Sequence, residues 1–337
     1  MENFYRSILK QTLTQLKKME QTKTILSSIK AIESIPFHET DLEDEYFVRL
    51  YFLIKNSVFW SNISDFSVLN ENKIHIPKIN EKIILSDEQL FDLVHSFYRE
   101  EANKKIFVDF EKLFKNRRKN FKIYREPSFI GYADSLYLPY KEQFFSRLNV
   151  RNNIRDVAIM AHEFGHGIQQ LNNYNQNIFG KNKIFLEIIS TFFELICLEH
   201  FSKVPEFSKQ SIVSMARYHE NTKKDAYFLN LYFASRKENE ETPLFESKEK
   251  FLEYFSKDGV QIDDSFMYCF SYIIAIELYK IFIEDKARAW FLIEKIIEIN
   301  LNLEPQQYMM EIINLGIIPN QNSIFFDELI SERIKNI

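Results

Sequence analysis

Apolar residues recur at helical spacing over most of the chain. Residues 2–34 carry Phe4, Ile8, Leu9, Leu13, Leu16 and Met19 on one stripe, which predicts an amphipathic helix. Residues 42–69 and 86–117 repeat the pattern, the second with Leu90, Leu93, Val94, Phe97 and Tyr98; Asp87, near its start, suits the helix dipole. The texture changes between 121 and 149. Phe121, Ile123 and Tyr124, then Phe129 to Tyr132, then Leu136 to Tyr140 read as short strands, punctuated by Gly131 and Pro139. From 153 onwards the pattern is helical again, with breaks near Gly180, Pro205, Pro243, Gly259, Pro305 and Pro319. These elements predict a mainly α, multi-helical fold with one small β-hairpin or sheet. They also predict a division near 120, with an N-terminal helical region at 1–120 and a helical region with the small sheet at 121–337.

Composition sharpens that picture. Only 6 Gly and 8 Pro in 337 residues leave few sites for tight hairpins, which argues against a β-sandwich or barrel. Lys+Arg 43 against Asp+Glu 48 gives a net charge of -5, with no basic footprint for nucleic acid. No charged segment leading into an apolar run follows Met1, so no signal peptide is expected. The most apolar stretch, Phe266 to Ile276, is 11 residues long and falls short of the roughly 20 that span a membrane. Cys197 and Cys269 sit in apolar runs outside any CxxC pair and read as buried reduced thiols, which points to the cytoplasm. Lys115, Arg117, Arg118, Lys119 and Lys122 cluster just before the sheet; the ordinary reading of such a run is a solvated face, and the alternative is a site for an acidic segment or the C-terminal carboxylate of a peptide.

The chemistry concentrates in Asn153-Ile-Arg-Asp-Val-Ala-Ile-Met-Ala-His162-Glu163-Phe-Gly-His166-Gly167. Asn153 is placed to cap a helix, with Asp156 in its acidic first turn. His162 and His166 are then i and i+4, one turn apart on one face, the spacing at which two imidazoles chelate one Zn²⁺. Glu163 projects about 100° away from that chelate and is placed to take a proton from a metal-bound water. Val157, Ala158, Ile159, Met160, Ala161, Phe164 and Ile168 make the helix apolar on most sides. Burying His, Glu and His in such a helix without partners costs several kcal/mol, roughly, so a metal accounts for them better than a core does.

A third ligand must come from another element. In residues 184–198, Glu187, Ser190, Thr191 and Glu194 fall at i, i+3, i+4 and i+7, and nearly everything else is large and apolar. A buried helix with one polar stripe needs something polar to face. The metal helix supplies it, so Glu187 is assigned as the third ligand and Ser190, Thr191 and Glu194 as residues that orient the ligands. For Glu194 a core salt bridge unrelated to metal is an equal alternative. Gly165 and Gly167 lie inside the metal helix, where glycine is disfavoured by about 1 kcal/mol each, which points to close approach of another backbone or a substrate.

Taken together, His162-Glu163-Phe164-Gly165-His166 and Glu187-Ile188-Ile189-Ser190-Thr191-Phe192-Phe193-Glu194 resemble the thimet oligopeptidase/oligoendopeptidase F family of zinc peptidases. The likeness is specific over 130–195 and thin elsewhere. It implies a mostly helical, zincin-type metallopeptidase with a deep channel, one zinc held by His162, His166 and Glu187, and Glu163 as base. It also implies that an edge strand near 131–138 holds the peptide. Members of that family are longer, so this chain resembles a reduced version. They also carry a late histidine, whereas no histidine here follows His219.

In the late helix Tyr272 aligns with a functional family tyrosine and Tyr268 lies one turn earlier, so both are candidate oxyanion donors. Ser265 stands where another family tyrosine is expected. Tyr218-His219 is a substitute source of a donor, against the plainer reading of an exposed helical histidine; His200 reads as an ordinary helix-end histidine. The expected activity is hydrolysis of oligopeptides, with no nucleic-acid or membrane partner. The alternatives are a protease that matures one specific peptide, supplied by a dedicated partner, or a degenerate member that binds peptide and turns over weakly.

Overall fold

The computed structural model describes Lys17 and residues 74–125, 132–138, 143–173, 185–237, 262–301, 303, 305–317 and 322–337. The helices expected over 2–34 and 42–69 lie outside these residues. Helix α1 (Asp87–Glu101) opens with a capping box: Ser86 Oγ accepts from Gln89 N and Gln89 Oε1 accepts from Ser86 N. Helix α2 (Lys104–Phe114) is capped by Asn103, and a short α3 (Arg117–Asn120) leads into the sheet.

The sheet has three strands, β1 (Phe121–Tyr124), β2 (Ala133–Leu138) and β3 (Gln143–Asn149), in the order β1-β3-β2. β3 is central, parallel to β1 with Phe121 opposite Ser146, and antiparallel to β2 with Leu136 opposite Phe145. It was not legible as a strand because both of its faces are buried. Arg147 and Asn149 are as deeply enclosed as Phe144 and Leu148, so no apolar–polar alternation marks it.

The remaining elements are helical: α4 (Arg155–Asn172), α5 (Glu187–Ser202), α6 (Pro205–Lys237), α7 (Ile262–Glu284), α8 (Lys286–Glu298), α9 (Pro305–Asn314) and α10 (Asn322–Lys335). The fold is therefore mainly α with one small sheet beside α4, as the pattern predicts. No helix among the described residues is long and apolar enough to cross a membrane. Cys197 and Cys269 are buried free thiols.

One continuous core runs from Leu85 to Ile330 and passes straight across position 120. Its aromatic floor fixes α4. Phe164 packs among Tyr98, Phe110, Phe114, Phe121 and Phe144, with ring centroids 4.9–6.3 Å apart. The Tyr98 hydroxyl donates to the Ala161 carbonyl at 2.8 Å, pinning the helix one residue before its first histidine.

Helix α5 then packs on α4, and α6 and α7 pack on α5. The contact of α4 with α5 is close at Gly165. A Cβ there would lie 2.8 Å from Phe193 Cδ2 and 2.9 Å from the Ser190 Cα, so the glycine answers to a neighbouring backbone. At Gly167 the obstacles are instead the side chains of Leu113 and Phe144. Gly165→Ala is therefore expected to lose about 1–3 kcal/mol of stability by overpacking, outweighing the gain of about 1 kcal/mol in helix propensity. Denaturant unfolding checks this, and a variant as stable as the native chain would refute the close packing.

Glu101, at the end of α1, joins three helices. It accepts from Lys286 at 2.7 Å and meets His200 Nδ1 at 2.8 Å. The His200 contact outweighs partial burial and, with Lys286, holds the Glu101 carboxyl at about 2, against an ordinary 4.5. A depressed carboxyl stabilises the fold above its unfolded pKa and ceases to do so as pH falls through the folded one. Glu101→Gln is thus expected to lower the melting temperature at neutral pH, with the gap to the native chain closing between pH 4.5 and about 2. A gap that stays constant over that range would remove Glu101 from the acid limb of stability.

Candidate metal centre

Helix α4 begins at Arg155 with Ile154 at its cap position, not with Asn153 as expected. Asn153 nevertheless contributes, its Oδ1 accepting from Arg155 N at 2.9 Å. The buried Asp156 carboxylate accepts from the Arg151 and Asn153 backbone N–H groups at 3.0 and 3.2 Å and from the Tyr132 hydroxyl at 2.5 Å. These bonds tie the start of α4 to the entrance of β2.

Two turns further on, His162 and His166 present their rings with centroids 4.9 Å apart, and α5 brings Glu187 against both. Glu187 Oε2 lies 3.1 Å from His162 Nε2 and 3.4 Å from His166 Nε2. One ligand atom from each of the three residues falls within 4.8 Å of the others. Ligands bound tetrahedrally to one zinc at about 2.0–2.1 Å stand about 3.3 Å apart, which the two contacts of Glu187 match. Two imidazoles and a carboxylate also match its preferred chemistry. Among the described residues this is the one cluster of His, Cys, Asp and Glu able to hold a metal.

The electrostatics are consistent with that spacing. Burial alone would push the His162 imidazole down, but Glu187 and Glu194 at its two nitrogens outweigh burial and hold it up at about 10. Burial would likewise raise the Glu187 carboxyl, yet His166 and His162 hold it well below the usual carboxylate range. The acids around His162 thus already balance one positive charge, and a bound cation meets the same complement.

The polar stripe of α5 divides its work. Ser190 Oγ donates to the Glu187 carbonyl at 3.1 Å and lies 3.3 Å from Glu187 Oε2. Glu194 lies between Arg155 and His162. Its Oε1 accepts from Arg155 Nε at 2.9 Å, and its Oε2 stands 3.4 Å from His162 Nδ1, an ion-pair distance without hydrogen-bond geometry. Thr191 Oγ1 lies 3.5 Å from the Tyr218 hydroxyl. Glu163 is buried on α4 beside His162 and outside the cluster of three.

The late helix behaves less simply. Tyr272 on α7 is fully buried, with its ring centroid 4.8 Å from that of Tyr218, whereas Tyr268 one turn earlier is exposed. His219 is not an exposed helical histidine as the plainer reading had it. It is fully buried, with Nδ1 3.1 Å from the Tyr272 hydroxyl and Nε2 3.2 Å from Asp327 of α10. Burial keeps the imidazole neutral by lowering its pKa. A carboxylate only accepts, so Nε2 carries the proton, Nδ1 accepts, and the Tyr272 hydroxyl donates to His219. Sequence reasoning missed Arg155 and Asp327. Arg155 had a signal, since it lies seven residues before His162 on the same helical stripe; Asp327 had none.

The arrangement is a multi-helical fold in which two histidines and one glutamate converge as a candidate metal centre. Comparison with solved structures places that fold. A Bacillus anthracis protein named as an oligoendopeptidase F matches with a TM-score of 0.56 and 13% identity, over 99% of this chain and 63% of its own. A second structure named as an oligoendopeptidase F, solved at 3.1 Å, matches with a TM-score of 0.58 and 13% identity, over 100% and 65%. PZ peptidase A with an inhibitor matches with a TM-score of 0.55 and 12% identity, over 93% and 61%. The chain therefore has the oligoendopeptidase fold and spans a little under two thirds of the length of these structures. No sequence-family model and no curated protein sequence matches it.

Proposed function

We propose that the chain is a zinc-dependent metalloendopeptidase that hydrolyses oligopeptides in the cytoplasm. The observation that carries this reading is the convergence of His162, His166 and Glu187, with Glu163 beside His162, inside an oligoendopeptidase fold. When bound, zinc supplies Lewis acidity that polarises the scissile carbonyl and eases deprotonation of water near neutral pH. The rest falls to the chain. Glu163 takes the proton of the attacking water and passes it to the leaving amine. Glu194, held by Arg155, fixes the ring of His162, and Ser190 fixes Glu187. The peptide lies extended along β2, an edge strand of the described sheet, pairing through its backbone. Tyr272, with Tyr268, is assigned to the oxyanion, which requires the Tyr272 proton to turn from His219 towards substrate.

That last requirement favours a second reading, a member that binds metal and peptide but turns over weakly. Digestion of a diverse peptide library by the native chain, before and after chelation, with metal content measured, separates the two. The peptidase reading expects one metal per chain and internal cleavage that chelation abolishes and zinc restores. Stoichiometric metal and peptide binding with no cleavage would establish the second reading, and a chain unable to take up metal would sink both.

A further inference from the structure

The start of α4 carries two guanidinium groups beside Tyr132, and that of Arg155 also lies 5.1 Å from the Tyr218 ring centroid. The Arg151 guanidinium carbon lies 4.2 Å from the Tyr132 ring centroid and that of Arg155 lies 5.5 Å from the same ring. The Tyr132 hydroxyl is held by Asp156, so the ring is a fixed platform for Arg151, while Arg155 lies between the Tyr132 and Tyr218 rings. The acids close by are already engaged. Asp156 accepts from Tyr132 and from two backbone N–H groups, and Glu194 stands between Arg155 Nε and His162.

Arg155 uses Nε alone; its two terminal nitrogens have no hydrogen-bond partner among the described residues, although the side chain is only 26% exposed. Arg151 is exposed and forms no ion pair among the described residues.

The position is informative as well. Arg155 lies on the same stripe of α4 as His162 and His166. The seven residues from Arg155 to His162 advance about 10 Å at roughly 1.5 Å each. An extended peptide covers that distance in about three residues. Tyr132 immediately precedes β2, so a peptide on the β2 edge has one end directed towards the arginines.

We propose that Arg151 and Arg155, set on Tyr132, form a carboxylate-binding subsite that selects peptides bearing a negative charge about three residues from the scissile bond. The proposal deepens the peptidase reading and rests on it. The carboxylate is supplied either by an acidic side chain or by the C-terminus of a short peptide, and guanidinium groups bind both in the same way.

The test uses the full chain loaded with zinc. A labelled, C-terminally amidated parent peptide receives Glu at each position in turn, each with a Gln twin, and a further pair carries a free acid or an amide terminus. Binding is read by fluorescence anisotropy on Glu163→Gln, and kcat/KM on the native chain. One position, or the free terminus, is expected to favour the carboxylate about tenfold. Which pair responds identifies the source. Arg151→Gln is expected to remove most of that preference, and Arg151→Glu to shift it towards Lys at the same position.

Cleavage without a Glu-over-Gln or acid-over-amide preference, or a preference that Arg151→Gln leaves intact, would overturn the subsite while the peptidase reading stands. A preference in binding that depends on Arg151, with no peptide cleaved, would support the subsite and refute the peptidase reading.

Discussion

Glu163→Gln is expected to lower kcat/KM for oligopeptide cleavage by about 10²–10⁴-fold while metal content and KM stay near native, because the loss is confined to proton transfer. Glu163 follows His162 on α4, so its side chain leaves the helix about 100° from the imidazole and takes no part in the cluster of His162, His166 and Glu187. It is buried, and a glutamine of the same shape keeps the packing and most hydrogen-bonding capacity but cannot accept a proton. Measuring zinc by elemental analysis alongside steady-state kinetics separates this role from a structural one. If the variant cleaves as the native chain does, Glu163 is not the base. If it loses metal or stability together with activity, its role is structural.

What the sequence made legible was local. His162 and His166 needed only the pitch of an α-helix to be brought together. Glu187 needed only the observation that a helix as apolar as 184–198 does not bury a polar stripe without a polar neighbour. That stripe is fully enclosed, with Ser190, Thr191 and Glu194 all buried. Gly165 was legible as a close approach because glycine inside a helix requires a reason; that the reason is the Ser190 backbone required the tertiary structure.

The remainder depends on partners distant in sequence. His219 reads as solvent-exposed on a helix whose face alternates poorly, until α10 lays Asp327 over it more than a hundred residues later. Tyr272 was identified by its position in a late helix, but the direction of its proton is set by that same histidine. Strand β3 was hidden because Arg147 and Asn149 are buried polar residues, the case in which binary patterning fails.

Glu187→Ala is expected to weaken metal binding by more than the 10–100-fold typical of losing an outer hydrogen-bonding partner, since it removes a ligand outright. Two histidines one turn apart remain, and with them a bidentate site lacking the negative charge that offsets the cation. The loss should not spread through the fold. Helix α5 is anchored by Ile188, Ile189, Phe192, Phe193 and Leu195, all buried in the same core as Phe164.

Glu194→Gln makes the informative comparison. It keeps His162, His166 and Glu187 and removes the charge that Glu194 places between His162 Nδ1 and Arg155, so its effect belongs within the 10–100-fold range. Competition against a chromophoric chelator ranks the native chain, Glu194→Gln and Glu187→Ala in that descending order of affinity. Should Glu187→Ala retain native affinity, or fall no further than Glu194→Gln, the third ligand lies elsewhere and the 3.1 and 3.4 Å contacts to the histidines are an ion pair only.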